Sequence, residues 1–301
     1  MNIPEQKSSD RGLRQVKLVT WVGLFVNLAL AALKFALGIV GGSQAVVADA
    51  VHSLSDMSTD VAVLVGVCFW SKPPDRNHPF GHRRIETLIT VGIGAALAFA
   101  AIGIGYKAIA GVRSAHLRQP MWIVVIAPIV SIVLKESLYR WTVHVGRRTH
   151  SPAVVANAWH HRSDAMSSVP ALAAVILSRL NPDWAFVDHV GAMIISVFIL
   201  KVAWDIAKPA LNELSGQAAT QADQNRIVEI VSHIEGVREA HAIRTRRYGG
   251  GILVDLHVLV SGDISVREGH DIAEEVQRRL VAHGPSVADV VVHIEPHDDP
   301  G

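Results

Sequence analysis

Residues Val47–Val61 read VADAVHSLSDMSTDV. The stretch lies inside a long apolar segment, yet it holds Asp49, His52, Asp56 and Asp60. On a helix, positions i and i+4 sit one above the other on one face. His52 and Asp56 have that spacing, and Asp60 extends the row. A second apolar segment repeats the device at His160 and Asp164, in WHHRSDAM. An ionisable group inside a bilayer costs about 2.5–3.5 kcal/mol on insertion scales, and it usually faces the bundle interior. Two His-x-x-x-Asp pairs supply two imidazoles and two carboxylates, the donor set of a tetrahedral zinc site. The plainer alternative is a polar network that glues helices together. The duplicated spacing favours the metal.

The surroundings are those of a membrane protein. Of 301 residues, 50% are hydrophobic and 18% are charged, whereas globular domains carry about 25% charged residues. About 20 apolar residues cross a bilayer, and six segments qualify: Leu18–Val40, Ser43–Trp70, Leu88–Val112, Met121–Val143, Ala153–Leu180 and Ala185–Lys208. The second and fifth are the least apolar, because they carry the polar stripes. The first is too long for a signal-peptide core and lacks a small-residue cleavage pattern, so it reads as a retained helix. Basic residues gather before the first helix (Lys7, Arg11, Arg14, Lys17), after the second (Lys72, Arg76, Arg83, Arg84) and after the fourth (Arg140, Arg147, Arg148). That asymmetry places both termini in the cytoplasm of an inner-membrane protein. Net charge is +1 without a long basic run, which argues against nucleic acid as a partner. Cys68 is the single cysteine, so neither an intrachain disulfide nor a cysteine metal framework is expected.

Composition changes after Pro209. Gln224–Ile234 and Ser265–His283 read as amphipathic helices. Val237–Arg246, Ile252–Val260 and Val287–Ile294 alternate as strands, with Gly249-Gly250-Gly251 as the turn between the first two. The order α-β-β-α-β predicts a small open sheet with helices on one side. The domains are then a tail over 1–16, a six-helix membrane domain over 17–210 and a soluble α+β domain over 211–301.

Further candidate ligands surround the quartet. Asp49 and Asp60 adjoin its face, and each is a candidate to accept an imidazole N–H behind the metal or to pair with Lys34. His161 rivals His160, since i and i+3 also share a face with Asp164. Asp75, His78 and His82 lie within one short connection, as a weaker metal site or as solvated polar residues. His241, His257, His270, His293 and Glu295 are spread over the soluble domain. His293 and Glu295, two apart on one strand, point to the same side. His297, Asp298 and Asp299 are either an extension of that group or a solvated end.

These strings resemble the cation diffusion facilitators, the metal/proton antiporters of the bacterial efflux kind. The matching pieces are SQAVVADAVHSLSD (Ser43–Asp56), HPFGHRRIE (His78–Glu86), HHRSD (His160–Asp164) and the run Gly236-Val237…His241…Arg244-Thr245-Arg246. The likeness runs from Lys17 to about Pro296. It implies a six-helix membrane domain, a cytoplasmic ferredoxin-like domain and a homodimer. It assigns the transport site to His52, Asp56, His160 and Asp164. A loop site falls to Asp75, His78 and His82. A cytoplasmic site falls to His241, His257, His293 and Glu295, with His270 nearby. Relatives often pair a basic residue after HPFGH with an aspartate near the end of the sixth helix, which locks the dimer. Here Arg84 supplies the base and Asn212 stands at the acid's place, leaving Glu213 to substitute.

The expected activity is efflux of a divalent cation, with zinc the first choice and iron, manganese or cobalt the alternatives. The ion enters between the second and fifth helices, and protons replace it on the return, with His52 and His160 as their carriers. The absence of thiolate argues against Cu(I), and the resemblance adds that histidine at position 52 disfavours cadmium. The metal is substrate, and also a structural or regulatory ion in the soluble domain; no organic cofactor is expected. An intramembrane zinc hydrolase would need a motif such as H-E-x-x-H, which does not occur. A membrane sensor or scaffold that does not transport is the remaining rival. It has no use for buried ligands.

Overall fold

The computed structural model describes residues 3–70, 72–113, 119–148 and 152–297; the side chains of 3–17, 58–70, 152–153 and 156 lie outside that description. Six long helices come first: α1 Ile3–Val40, α2 Gln44–Trp70, α3 Arg84–Arg113, α4 Ile126–Arg148, α5 Pro152–Leu180 and α6 Phe186–Leu214. Then follow α7 Gln221–Ser232, β1 Glu239–Tyr248, β2 Gly251–Ser261, α8 Val266–His283 and β3 Val287–His297. Among the described residues four helical stretches are long and apolar enough to cross a membrane: Leu18–Val40, Arg84–Arg113, Trp122–Arg148 and Pro182–Leu214. The other two long helices, α2 and α5, carry the polar stripes that lower their hydropathy.

The chain divides into two compact units. One takes α1, α2 as far as Val61, α3 from Gly92, α4, α5, and α6 as far as Ile206. Its core is built of small and branched residues, among them Val46, Ala48, Ala101, Ala171, Val175, Ala192 and Ile199. Small side chains let helices approach closely, which drives helix association in lipid. A Cβ built on Gly191 of α6 would lie 2.5 Å from that of Ala174 on α5 and 3.3 Å from that of Ala45 on α2. Phe25, Phe99 and Tyr106 are 72, 75 and 74% exposed, an outward apolar surface suited to lipid. The start of α2 is capped from α6: Ser43 Oγ and the Gln44 N–H donate to the Asp188 carboxylate at 2.5 and 2.7 Å. That carboxylate satisfies donors that a helix N-terminus leaves orphaned.

The other unit joins Ala62–Val91 to the chain from Ala207 onward. Its sheet has the order β1-β2-β3, with β1–β2 antiparallel and β2–β3 parallel. Tyr248 pairs with Gly251 across a two-residue turn, Gly249-Gly250, at φ +51° and +74°. Two positive φ values in succession are the geometry of the tight hairpin turn that glycine favours. Ile227 and Val231 of α7 and Val276 and Leu280 of α8 pack with Val254, Leu256 and Val258 of β2, so both helices cover one face. Capping boxes fix the starts of α7, by Thr220 with Asp223, and α8, by Ser265 with Glu268. The expected α-β-β-α-β order is the one observed.

Candidate functional site

His52 and Asp56 lie on α2, and His160, His161 and Asp164 on α5. His52 Nδ1 and Asp56 Oδ2 are buried without a hydrogen-bond partner. Buried polar atoms are almost always satisfied in proteins; both ring nitrogens of His161 are unpartnered in the same way, so all four atoms are open to a ligand. Asp56 lies within electrostatic reach of His52, Asp164, Lys135 and His160. His160 Nδ1 stands 3.7 Å from Asp164 Oδ1. The His161 ring is buried against α1, where a Cβ added to Gly23 would lie 3.2 Å from Nε2. Asp49 meets Lys34 at 2.9 Å, both fully buried, and Lys34 also donates to Ser53 and Ser168 at 2.8 and 2.9 Å. The Asp60 side chain lies outside the described residues.

One residue at this site escaped the sequence reading. Lys135 of α4 is buried to 1%, and its ammonium lies 3.1 Å from Asp164 Oδ2. The available signal was a lysine closing the apolar run Trp122–Leu134, still inside a segment long enough to span the membrane. Such a residue is rare in a membrane helix and faces the bundle interior.

Among the described residues, two groups bring three His or carboxylate ligand atoms within 4.8 Å of one another. The membrane quartet is not so contracted. The first group is Asp75, His78 and His82. Asp75 Oδ1 accepts from the N–H groups of Asn77 and His78 at 2.9 and 2.7 Å. The His78 N–H is the main cause that holds the Asp75 carboxyl below its ordinary value. His82 Nε2 lies 3.4 Å from Asp75 Oδ2. The loop is held within its own unit: the Tyr248 hydroxyl donates to the Phe80 and Gly81 carbonyls at 2.8 and 3.1 Å.

The second group is His241, His257 and Glu295. Register explains the convergence. His241 pairs with His257 across β1–β2, and His257 with His293 across β2–β3. The three imidazoles therefore form a row on the sheet face opposite the helices. Glu295, two residues beyond His293, shares that face and accepts from His257 Nδ1 and His241 Nε2 at 2.7 and 3.0 Å. Burial pushes the Glu295 carboxyl up, but the His257 and His241 hydrogen bonds and charges outweigh it and leave its pKa lowered. His293 stands beside the group, with Nε2 3.5 Å from Glu295 Oε1. His270 does not join it: on α8 its Nε2 faces Glu274 at 3.3 Å, one turn along the same exposed helix. Asp298 and Asp299 lie outside the described residues.

Arg84 and Glu213 do not meet within the chain. Glu213 Oε1 accepts from Thr87 Oγ1 and the Gly249 N–H, each at 2.7 Å. Arg84 lies over the Tyr248 ring, 5.7 Å from its centroid.

Residues 20–215 match the family described as cation efflux transmembrane domain, and residues 219–297 the one described as cation efflux protein, cytoplasmic domain. The chain belongs to the cation diffusion facilitator family. An uncharacterized transporter of Methanocaldococcus jannaschii is 35% identical over 268 residues, 89% of this chain and 94% of its own. The manganese efflux system protein MneP of Bacillus subtilis is 29% identical, over 93% of this chain and 95% of its own. The magnetosome protein MamM of Paramagnetospirillum magneticum is 34% identical, over 86% and 81%. A solved MamM CTD variant in its nickel form is 29% identical, with a TM-score of 0.26, covering 26% of this chain and all of that one. As a cation diffusion facilitator the chain is a membrane transporter of divalent metal cations, not an enzyme. It joins a helical membrane domain to a cytoplasmic ferredoxin-like one.

Proposed function

We propose that this facilitator exports Zn(II) in exchange for protons through His52, Asp56, His160 and Asp164. The observation that carries the reading is the pair of unpartnered ligand atoms, His52 Nδ1 and Asp56 Oδ2, on a helix whose stripe answers the one on α5. A metal supplies the partner that hydrocarbon withholds. Binding needs neutral imidazole and ionised carboxylate, so metal and protons exclude one another at the quartet. Free imidazole titrates near ~6.5, which makes His52 and His160 the carriers of exchanged protons. Alternating access then presents the quartet to each side in turn. The protein works as a homodimer in the inner membrane with both termini in the cytoplasm. The His241–His257–Glu295 cluster, with His293 beside it, takes a regulatory ion. Asp75, His78 and His82 take a weaker one.

A manganese or iron reading has one point in its favour: the Bacillus subtilis relative is named as a manganese efflux protein. Against it, two imidazoles suit zinc better than manganese, which prefers oxygen donors. Reconstituted vesicles decide. Zinc uptake should exceed manganese and iron uptake, move protons the other way, and vanish in His52→Ala and Asp164→Ala. Manganese-selective flux or flux without proton movement would overturn the assignment.

A further inference from the structure

Charged groups that act on one another at the quartet include the carboxylates Asp49, Asp56 and Asp164 and the ammonium groups Lys34 and Lys135. Lys34 is committed: it pairs with Asp49 at 2.9 Å and fills its remaining valences with Ser53 and Ser168. Lys135 is placed differently. Its one hydrogen bond to a carboxylate goes to Asp164 Oδ2, at 3.1 Å. His161 of α5 lies within its electrostatic reach.

A divalent ion held by Asp56 and Asp164 neutralises both. It leaves the Lys135 ammonium without its counter-charge in a low-dielectric interior, where an unpaired charge is severely disfavoured. An ion on the free Oδ1 and the ammonium on Oδ2 would share one carboxylate and repel each other across it. The ion therefore loosens the ammonium's hold on Asp164, and its departure lets the ammonium close in again.

We propose that Lys135 is a tethered surrogate cation: it competes with the transported ion for Asp164 and keeps that carboxylate paired while the metal is away on the return stroke. This rests on the quartet being the transport site. Lys135 touches a ligand and not the ion, so it is a positioning residue. It sets two quantities in opposite senses. It weakens the hold on metal, and it speeds reorientation of the metal-free carrier by sparing Asp164 an unpaired buried charge.

Zinc flux through proteoliposomes holding the full chain tests this, because zinc–zinc exchange never requires the empty carrier to turn over, whereas net efflux does. Lys135→Met should lower the zinc concentration for half-maximal exchange about tenfold and raise the ratio of exchange to net efflux by a similar factor. Lys135→Arg keeps the charge and adds a fork that holds a carboxylate more firmly. It should shift half-saturation the opposite way while leaving the ratio near that of the unaltered protein. If the methionine variant does not fold, the direction of the arginine shift still decides. Half-saturation unchanged in both variants, or exchange and net efflux falling together in a folded Lys135→Met protein, overturns the proposal. Asp164→Asn separates the two readings. If it leaves exchange intact, the transport-site assignment falls and this inference with it. If it abolishes exchange while the Lys135 variants behave as the unaltered protein, only the surrogate-cation role is lost.

Discussion

His52 and Asp56 each bury a ligand atom with no hydrogen-bond partner, in a segment where lipid would accept leucine at no cost. Both were legible in the sequence, since histidine and aspartate one turn apart in an apolar run have a single common face. Donor chemistry then sets selectivity. His52→Asp replaces an imidazole nitrogen by a carboxylate oxygen and should narrow the preference for zinc over cadmium about threefold or more. Competition uptake of the two ions into vesicles checks this; an unchanged ratio would assign selectivity to cavity size. Lys135 was not legible in the same way, because one lysine in α4 has no periodic partner in its own helix. Its meaning depends on α5 bringing Asp164 alongside, a fact of packing. Glu295 carries a pH prediction. Its folded pKa lies below its ordinary value of 4.5. The stability it contributes is therefore full above about pH 4.5, and it is lost as pH falls through the folded value. Glu295→Gln should flatten that acid limb of the melting-temperature profile of the metal-free full chain.

At the scale of the element, β1 explains how His241 reaches its partners. His241 pairs with His257, but the next pair is Arg244 with Asp255. Three steps on β1 thus match two on β2, so β1 holds one extra residue. Ala242 sits in this bulge at φ +47°. Side chains alternate faces along a strand, and a one-residue slip moves each to the other side. Without the extra residue His241 would share the parity of Thr245 and face the helices. The bulge sends it to the outer face beside His257. The alternating pattern disclosed both strands and their hairpin, but not the bulge, since no glycine marks it. Ala242 bears a left-handed conformation that costs an L-residue about 1–2 kcal/mol. A β-branched side chain raises that cost. Ala242→Val should destabilise the protein by about a further 1–2 kcal/mol and weaken metal binding at the cluster. Ala242→Gly should keep both. Thermal unfolding with and without added zinc distinguishes the pair; equal melting temperatures would mean the bulge is not under strain.

At the scale of the whole molecule, the division into two units departs from a simple reading of membrane part and soluble part. The connection between α2 and α3 belongs with the C-terminal sheet. Hydropathy assigns residues by composition, and it cannot see that Tyr248, Glu213 and Gly249 reach back to that connection. The ties are specific: Tyr248 to two loop carbonyls, Glu213 to Thr87, and Gly249 so close to Arg83 that a Cβ would lie 2.3 Å from the Arg83 Cβ. The loop residues His78 and His82 flank the carbonyls that Tyr248 holds. The sheet bearing the His241 cluster therefore also braces the loop cluster. An ion at the loop cluster would then stabilise a segment that the sheet already braces. Tyr248→Phe removes the hydroxyl while keeping the ring under Arg84, at a cost of about 1 kcal/mol. It should raise hydrogen exchange across residues 75–88 several-fold and weaken metal binding at Asp75, His78 and His82, with the His241 cluster unaffected. Exchange mass spectrometry of the full-length protein resolves these segments separately. If residues 75–88 keep their protection in Tyr248→Phe, the hydroxyl is not what orders the loop, and the bracing must come from Glu213 and the close approach at Gly249.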